Sequence, residues 1–192
     1  MTRLASLIIA AAIATVAATA PLANAAEVAG VKVDETARTA TTDLVLNGAG
    51  LRKKLFFKVY VAALYVPRKT GNTGEILDSR EPRRVTLQLL RDLDADSFVG
   101  ALKEGLRLNH SDSELAVLKQ DIDQFELIMR KVGNAKEGDR VVLDFTADGT
   151  AVGFNGLARG NIAGAAFGRA LLKVWIGDKP VAPELKRALL GG

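Results

Sequence analysis

The stretch LNGAGLRKKLFFKVYVAALYVP, Leu46 to Pro67, decides how this chain is read. Its second half, LFFKVYVAALYV, is rich in aromatic and β-branched residues, which fit the pleated surface of a sheet, so it is expected to be a central strand. Pro67 ends it, because proline has no N–H to give to the ladder. Its first half holds a cationic run, Arg52-Lys53-Lys54, that leads straight into this apolar segment. That run is either a solvated turn or a positive charge held at the mouth of an apolar space. If the backbone is extended throughout, Arg52 and Tyr60 share a face, since an even separation keeps side chains on one side; a turn at Lys53-Lys54 removes that argument. Cations at strand tips are common, and sequence physics alone favours a structural or solvated role for the pair.

Outward from this stretch the pattern alternates between strand and helix. EVAGVKVDE, TTDLVLNG and RRVTLQLLR read as strands, while PRKTGNTGEILDSREP reads as a loop with one helical turn around Glu75 to Leu77. In DADSFVGALKEGLRLN the apolar residues Phe98, Leu102 and Leu106 recur every four positions, with Asp94 or Asp96 placed to cap a helix. A second helix carries Leu115, Leu118, Ile122, Phe125, Met129 and Val132 on one face. Ser111 and Glu114 form the capping box that opens it, and Gly133 follows its last apolar residue. GDRVVLDFTADGTAVGFNG is a hairpin about Asp148-Gly149, NIAGAAFGRALLKVWIG a helix, and APELKRALLGG a short last helix with Pro183 near its start. Successive strands lack the crossover helix of a parallel sheet. The expected class is α+β, an antiparallel sheet covered on one side by helices.

The first 25 residues are an address and not part of the fold. One early cation, Arg3, precedes an uncharged Ala/Ile/Leu/Val run, then Pro21 and the small-x-small triplet Ala23-Asn24-Ala25. This reads as a secretory signal peptide over residues 1–25, with residues 26–192 forming a single domain in the periplasm or outside the cell. After cleavage no apolar segment is long enough to span a bilayer. An exported domain of this size without cysteine must stand on its apolar core, which buries roughly 70% of its unfolded surface. The full chain carries a net charge of +4, with cations and acids interleaved everywhere except at Arg52 to Lys54. No basic stripe or recognition motif points to nucleic acid as a partner.

Other candidates have plain structural readings. Asp92, Asp94 and Asp96 resemble the start of a calcium loop, but Ser97 stands at the glycine place and Lys103 at the bidentate carboxylate, so helix capping accounts for them. His110 is the one histidine and has no partner at ligand or relay spacing. With no cysteine either, neither a metal site nor a thiol nucleophile is expected, and no cofactor is implied. Gly160, Gly164 and Gly168 are four apart and suit close packing of a helix on a sheet. Gly48-Ala49-Gly50 lacks the later glycine of a nucleotide loop and reads as a strand bend.

LNGAGLRKK, KVYVAALYV and ALLKVWIGDKPVAPELKRALLG together resemble the chalcone isomerase-like superfamily, specifically its bacterial secreted branch, from about Val28 to Leu190. The resemblance implies an open-faced β-sandwich, in which an antiparallel sheet and a helical layer enclose an apolar cleft. Plant isomerases of the superfamily add a phenolate oxygen across an enone with an arginine as electrostatic partner. Other plant members bind fatty acids, holding the carboxylate with the arginine of a G-x-G-[LV]-R motif and a tyrosine on the next strand. Arg52 matches that arginine, and Tyr60 matches the tyrosine of the fatty-acid binders. Phe98, Ala101 and Gly105 stand where the isomerase has tyrosine, lysine and asparagine, and Val174 replaces a hydroxyl residue. Donors of that kind are typically worth ~3 to 4 kcal/mol each in kcat, so efficient chalcone cyclisation is not expected. The implied function is binding of a small amphipathic ligand, fatty-acid-like or phenolic, by Arg52 and Tyr60. Two alternatives stand beside it: an isomerase or intramolecular lyase with Arg52 as its catalytic group, and a non-catalytic interaction module whose cleft is filled. In the last, Arg52 to Lys54 would be a patch for a partner or anionic lipid.

Overall fold

The computed structural model describes residues 25–192. The expected signal peptide lies outside the described residues but for Ala25, which opens strand β1 (Ala25–Val28). β1 pairs with β2 (Val31–Asp34) in a small two-stranded ribbon. A second sheet contains seven strands in sequence order, each antiparallel to the next. These are β3 (Thr36–Arg38), β4 (Asp43–Lys54), β5 (Phe57–Val66), β6 (Arg83–Leu89), β7 (Arg140–Phe145), β8 (Gly149–Phe154) and β9 (Leu157–Ala163). Helix α1 (Thr73–Asp78) joins β5 to β6; α2 (Ala95–Asn109), α3 (Asp112–Val117) and α4 (Lys119–Val132) join β6 to β7; α5 (Ala165–Ile176) and α6 (Pro183–Leu189) end the chain. The class is the α+β arrangement expected, an antiparallel sheet with a helical layer on one face.

β5 is the interior strand anticipated, and it is buried on both faces from Tyr60 to Val66. Tyr60, Ala62, Leu64 and Val66 face the helical layer, where they join Phe98, Leu102, Leu171 and Trp175. Val61, Ala63 and Tyr65 face the other way, into a smaller cluster covered by Val33 of the β1–β2 ribbon. An alternation of this kind is what a period of two dictates once both sides are covered.

Four expectations need correction. EVAGVKVDE is not one strand but the β1–β2 hairpin, which turns at Ala29-Gly30. Leu55 and Phe56 are not in the strand: they form the tip between β4 and β5, and Leu55 takes a left-handed backbone, φ 54°. The helix expected from Ser111 to Val132 is two helices that meet at Leu118. The capping box is present, and the Leu118 N–H reaches the Glu114 carbonyl at 3.2 Å, so the apolar face continues across the break. NIA of the expected long helix closes strand β9 instead. Gly164, with φ 80°, turns the chain before α5 begins. The three spaced glycines therefore serve two elements. A Cβ on Gly160 would strike Ile128 of α4, and one on Gly168 would strike Thr150 and Phe145 of the sheet.

A bulge in β4 governs what lies on each face. Leu44 and Leu46 point into the ribbon-side cluster, the register then slips between Leu46 and Gly48, and beyond it Ala49 and Leu51 point there instead. One extra residue inverts the parity of every position that follows. Gly48, Gly50 and Arg52 are thereby turned to the helical side, where α6 lies so close that a Cβ on Gly48 would come 2.0 Å from the Ala188 carbonyl oxygen. The extra residue is Asn47, which is buried. Its Nδ2 donates to the Leu189 carbonyl at 2.7 Å, and its Oδ1 accepts from the Thr70 N–H at 2.8 Å.

Asn47→Ala is expected to leave those two backbone groups without their partner and to cost about 1–3 kcal/mol in chemical denaturation. Gly48→Ala is expected to cost at least about 1–3 kcal/mol, since backbone is the obstacle and cannot swing aside. Gly100→Ala, in α2 with nothing near the added carbon, should instead be neutral or stabilising by about 0.5–1 kcal/mol in the same assay.

Candidate ligand-binding site

Arg52 and Tyr60 come from different strands and are direct cross-strand partners in the β4–β5 ladder. Their side chains therefore share a face, though not by the extended-chain parity of a single strand. A second register slip lies just beyond them, between Arg52 and Lys53, so the next pair is Lys53 with Lys58. The shared face is the helical one, since Tyr60 belongs to the core beneath the helices.

Tyr60 is buried, and its hydroxyl accepts a hydrogen bond from Nε1–H of Trp175 in α5 at 3.0 Å. Trp175 is the only tryptophan of the chain and is fully buried. A buried indole N–H needs an acceptor, and the phenol supplies it. The hydroxyl proton of Tyr60 has no acceptor among the described residues. Burial raises the Tyr60 pKa above its ordinary 10.0, while the Trp175 hydrogen bond and the nearby Arg52 charge pull it back part of the way. Arg52 is half-exposed, and its Nη1 donates to the Lys53 carbonyl. No carboxylate pairs with Arg52 among the described residues. A guanidinium without a counter-ion thus stands beside a phenol that still has a proton to give. Two convergent donors of this sort suit an oxyanion, and the planar fork of arginine suits a carboxylate above other anions.

Of the four positions where an isomerase would carry polar groups, Phe98, Gly105 and Val174 are apolar and closed, and Ala101 is apolar and exposed. Phe98 is buried in the helical layer. The space a Cβ on Gly105 would take is held by Val174, whose Cγ1 would lie 2.6 Å from it, so α2 and α5 touch directly at these two positions. Ala101 is exposed on the outer side of α2. The interior under the helices is filled by side chains of 0 to 9% exposure. Three surface cavities, of about 550, 300 and 640 Å³, open elsewhere, the first between α3 and α5 beside His110 and the others around Arg83. Neither Arg52 nor Tyr60 lines any of them.

The remaining candidates have structural work. Asp94 caps α2 by accepting from the Ser97 N–H at 2.8 Å, Asp92 accepts from Lys136 and from the Glu137 N–H, and Asp96 pairs with Arg130. His110 is tucked between α2 and α5, its Nε2 3.3 Å from the Ala170 carbonyl. No group of three His, Cys, Asp or Glu that could hold a metal is found among the described residues. Trp175 and Asn47 are the contributors that sequence reasoning missed. A lone tryptophan inside an apolar helix was the available signal for the first.

The family model described as chalcone isomerase-like matches residues 25–191. Among solved structures the chain is similar to the crystal structure of a fatty-acid binding protein of Arabidopsis thaliana, AtFAP1. The TM-score is 0.65 at 15% identity, over 84% of this chain and 92% of that one. That likeness concerns the fold. No curated protein matches the chain.

Burial raises the pKa of Tyr65 as well as that of Tyr60. A phenol whose folded pKa is raised contributes its stability in full below the ordinary value and loses it as pH rises through the folded value. Thermal melts from about pH 9 to about pH 11 should therefore show wild-type Tm falling, and falling less steeply in Tyr60→Phe, with Tyr65 and the ion-paired Lys119 and Lys136, whose pKa values are also raised, supplying the remaining slope. At neutral pH the same variant should lose about 1–3 kcal/mol, because the Trp175 N–H is left buried without an acceptor.

Proposed function

The chain belongs to the chalcone isomerase-like family, and on that premise we propose that it is a non-catalytic binding protein for a small amphipathic carboxylate, fatty-acid-like or phenolic. Arg52 holds the carboxylate and Tyr60 gives the second hydrogen bond, with Trp175 fixing the phenol from behind. The observation that carries this reading is the pairing itself: an arginine that has no carboxylate partner among the described residues, beside a buried hydroxyl whose proton has no acceptor among them. The fatty-acid binding function stated for AtFAP1 is consistent with it. The apolar layer beneath the pair gives a hydrocarbon chain or aromatic ring the surroundings it needs, through contacts of the same kind as those it would replace. Catalysis of chalcone cyclisation is disfavoured by Phe98, Gly105 and Val174, which bring two helices together where polar groups would have to converge. The N-terminal 25 residues support export, and the periplasm is the compartment we assign.

One observation favours a second reading, the interaction module: the layer is filled, and none of the three cavities reaches Arg52. Native mass spectrometry of protein purified from its own cells, followed by extraction, separates the two. The binding reading expects a co-purifying carboxylate and affinity for members of a fatty-acid panel that falls at least about tenfold in Arg52→Ala, the loss of one charge-assisted hydrogen bond. Protein that is reproducibly empty, with wild type and Arg52→Ala equally indifferent to the panel, would leave the interaction module. Turnover of naringenin chalcone above background, abolished in Arg52→Ala, would make the chain an enzyme.

A further inference from the structure

The tip of the β4–β5 hairpin is built unlike a solvated turn. Tight hairpins ordinarily place glycine, asparagine or aspartate where φ is positive, because a bulky side chain there is strained. Leu55 holds that place with φ 54°. It is 83% exposed, Phe56 is 98% exposed and Phe57 58%, so three large apolar side chains in succession stand in water at the furthest point of the sheet. Scattered apolar residues on a surface need no explanation, but a contiguous projecting group at a strained turn does.

Charge surrounds this tip on the strand side. Lys53 and Lys58 are cross-strand partners directly below it, a like-charge pairing that costs stability in isolation, and Lys54 precedes the turn. Arg91, just past the end of β6, lies over the Phe57 ring with its guanidinium carbon 4.8 Å from the centroid. No acid occurs from Leu44 to Gly74. Of the acids at this end of the sheet, Asp92 is engaged by Lys136 and Asp139 by Asn155 and the Lys136 N–H, while Glu137 is exposed and, among the described residues, without an ion pair. Across the sheet, the β8–β9 turn brings a fourth exposed apolar residue, Leu157, to the same end.

We propose that this hairpin is a docking element for an anionic lipid bilayer: Leu55, Phe56 and Phe57 enter the interface while Lys53, Lys54, Lys58 and Arg91 meet lipid phosphates. The arrangement joins the two components of reversible membrane attachment, a small apolar wedge and a polybasic collar. Each cation near an anionic surface multiplies binding by roughly fivefold, and the attraction is felt only within a Debye length of about 8 Å at physiological salt. An aqueous protein partner would have to offer both a greasy pocket and acids; a bilayer of anionic lipid presents both as a continuous surface. The inference does not depend on the ligand reading, because the tip projects away from the Tyr60–Trp175 contact and its residues are distinct from Arg52 and Tyr60.

Flotation with phosphatidylcholine vesicles, with and without phosphatidylglycerol, tests it on the purified chain and on two double variants, Leu55→Asn/Phe56→Ser and Lys53→Glu/Lys54→Glu. Asparagine suits the left-handed position, so the first variant should fold at least as well, and a thermal melt checks both. Wild type is expected to float with the phosphatidylglycerol vesicles alone and to be released by salt, and each double variant to bind at least about tenfold more weakly. The proposal is overturned if wild type remains soluble, floats equally with neutral vesicles, or floats undiminished in both variants. A chain that dimerises through the tip, shown by light scattering and abolished by the first variant, while ignoring vesicles would overturn it as well.

Discussion

The side-chain amide of Asn47 holds a bulge in β4 by bonding one backbone group of the α6 end and one of the segment after β5, and most of the functional geometry follows from that bulge. An antiparallel strand has no freedom to choose which residues face the core once its register is set. Without the slip, Arg52 would lie on the side of Leu44 and Leu46, beneath the β1–β2 ribbon, and Leu51 would stand opposite Tyr60 in its place. With it, Gly48 and Gly50 turn to the helices, α6 can settle on bare backbone, and Arg52 emerges where the helical layer ends.

Helical packing then sets what the site can do. Tyr60, Trp175 and the Gly105–Val174 contact belong to one layer, in which α5 is fixed to the sheet at Gly168 and to α2 at Gly105. Close contact of this type requires small residues at the crossing and leaves no room for extra polar groups. Chemistry that needs several converging donors is poorly served by such a layer. Recognition of a single anionic end by a rim arginine and one phenol is compatible with it.

Much of the architecture was legible because it rests on period and punctuation. Strands from Val85 to Leu89 and Val141 to Phe145, the Asp148-Gly149 hairpin, the Ser111/Glu114 box and the Pro183 start all follow from local rules, and the structure has them where they were read. What escaped was non-local. Asn47 looks like any polar residue until its partners 142 and 23 positions away are known. The tip at Leu55-Phe56 was hidden because aromatic and aliphatic residues signal strand, and turn chemistry is absent there. Strand β9 was hidden because its one glycine, Gly160, serves close packing against α4 and not a helix face. Strand parity left open whether Arg52 and Tyr60 share a face, and it is hairpin pairing that brings the two together.

Because Trp175 is the sole indole and donates its N–H to the very phenol beside Arg52, the protein contains a built-in optical reporter at its candidate site. Any event that takes the phenol oxygen away from the indole, or loads that oxygen with charge, alters the excited state of that indole with no background from another. Emission spectra thus read a single hydrogen bond, with no label attached.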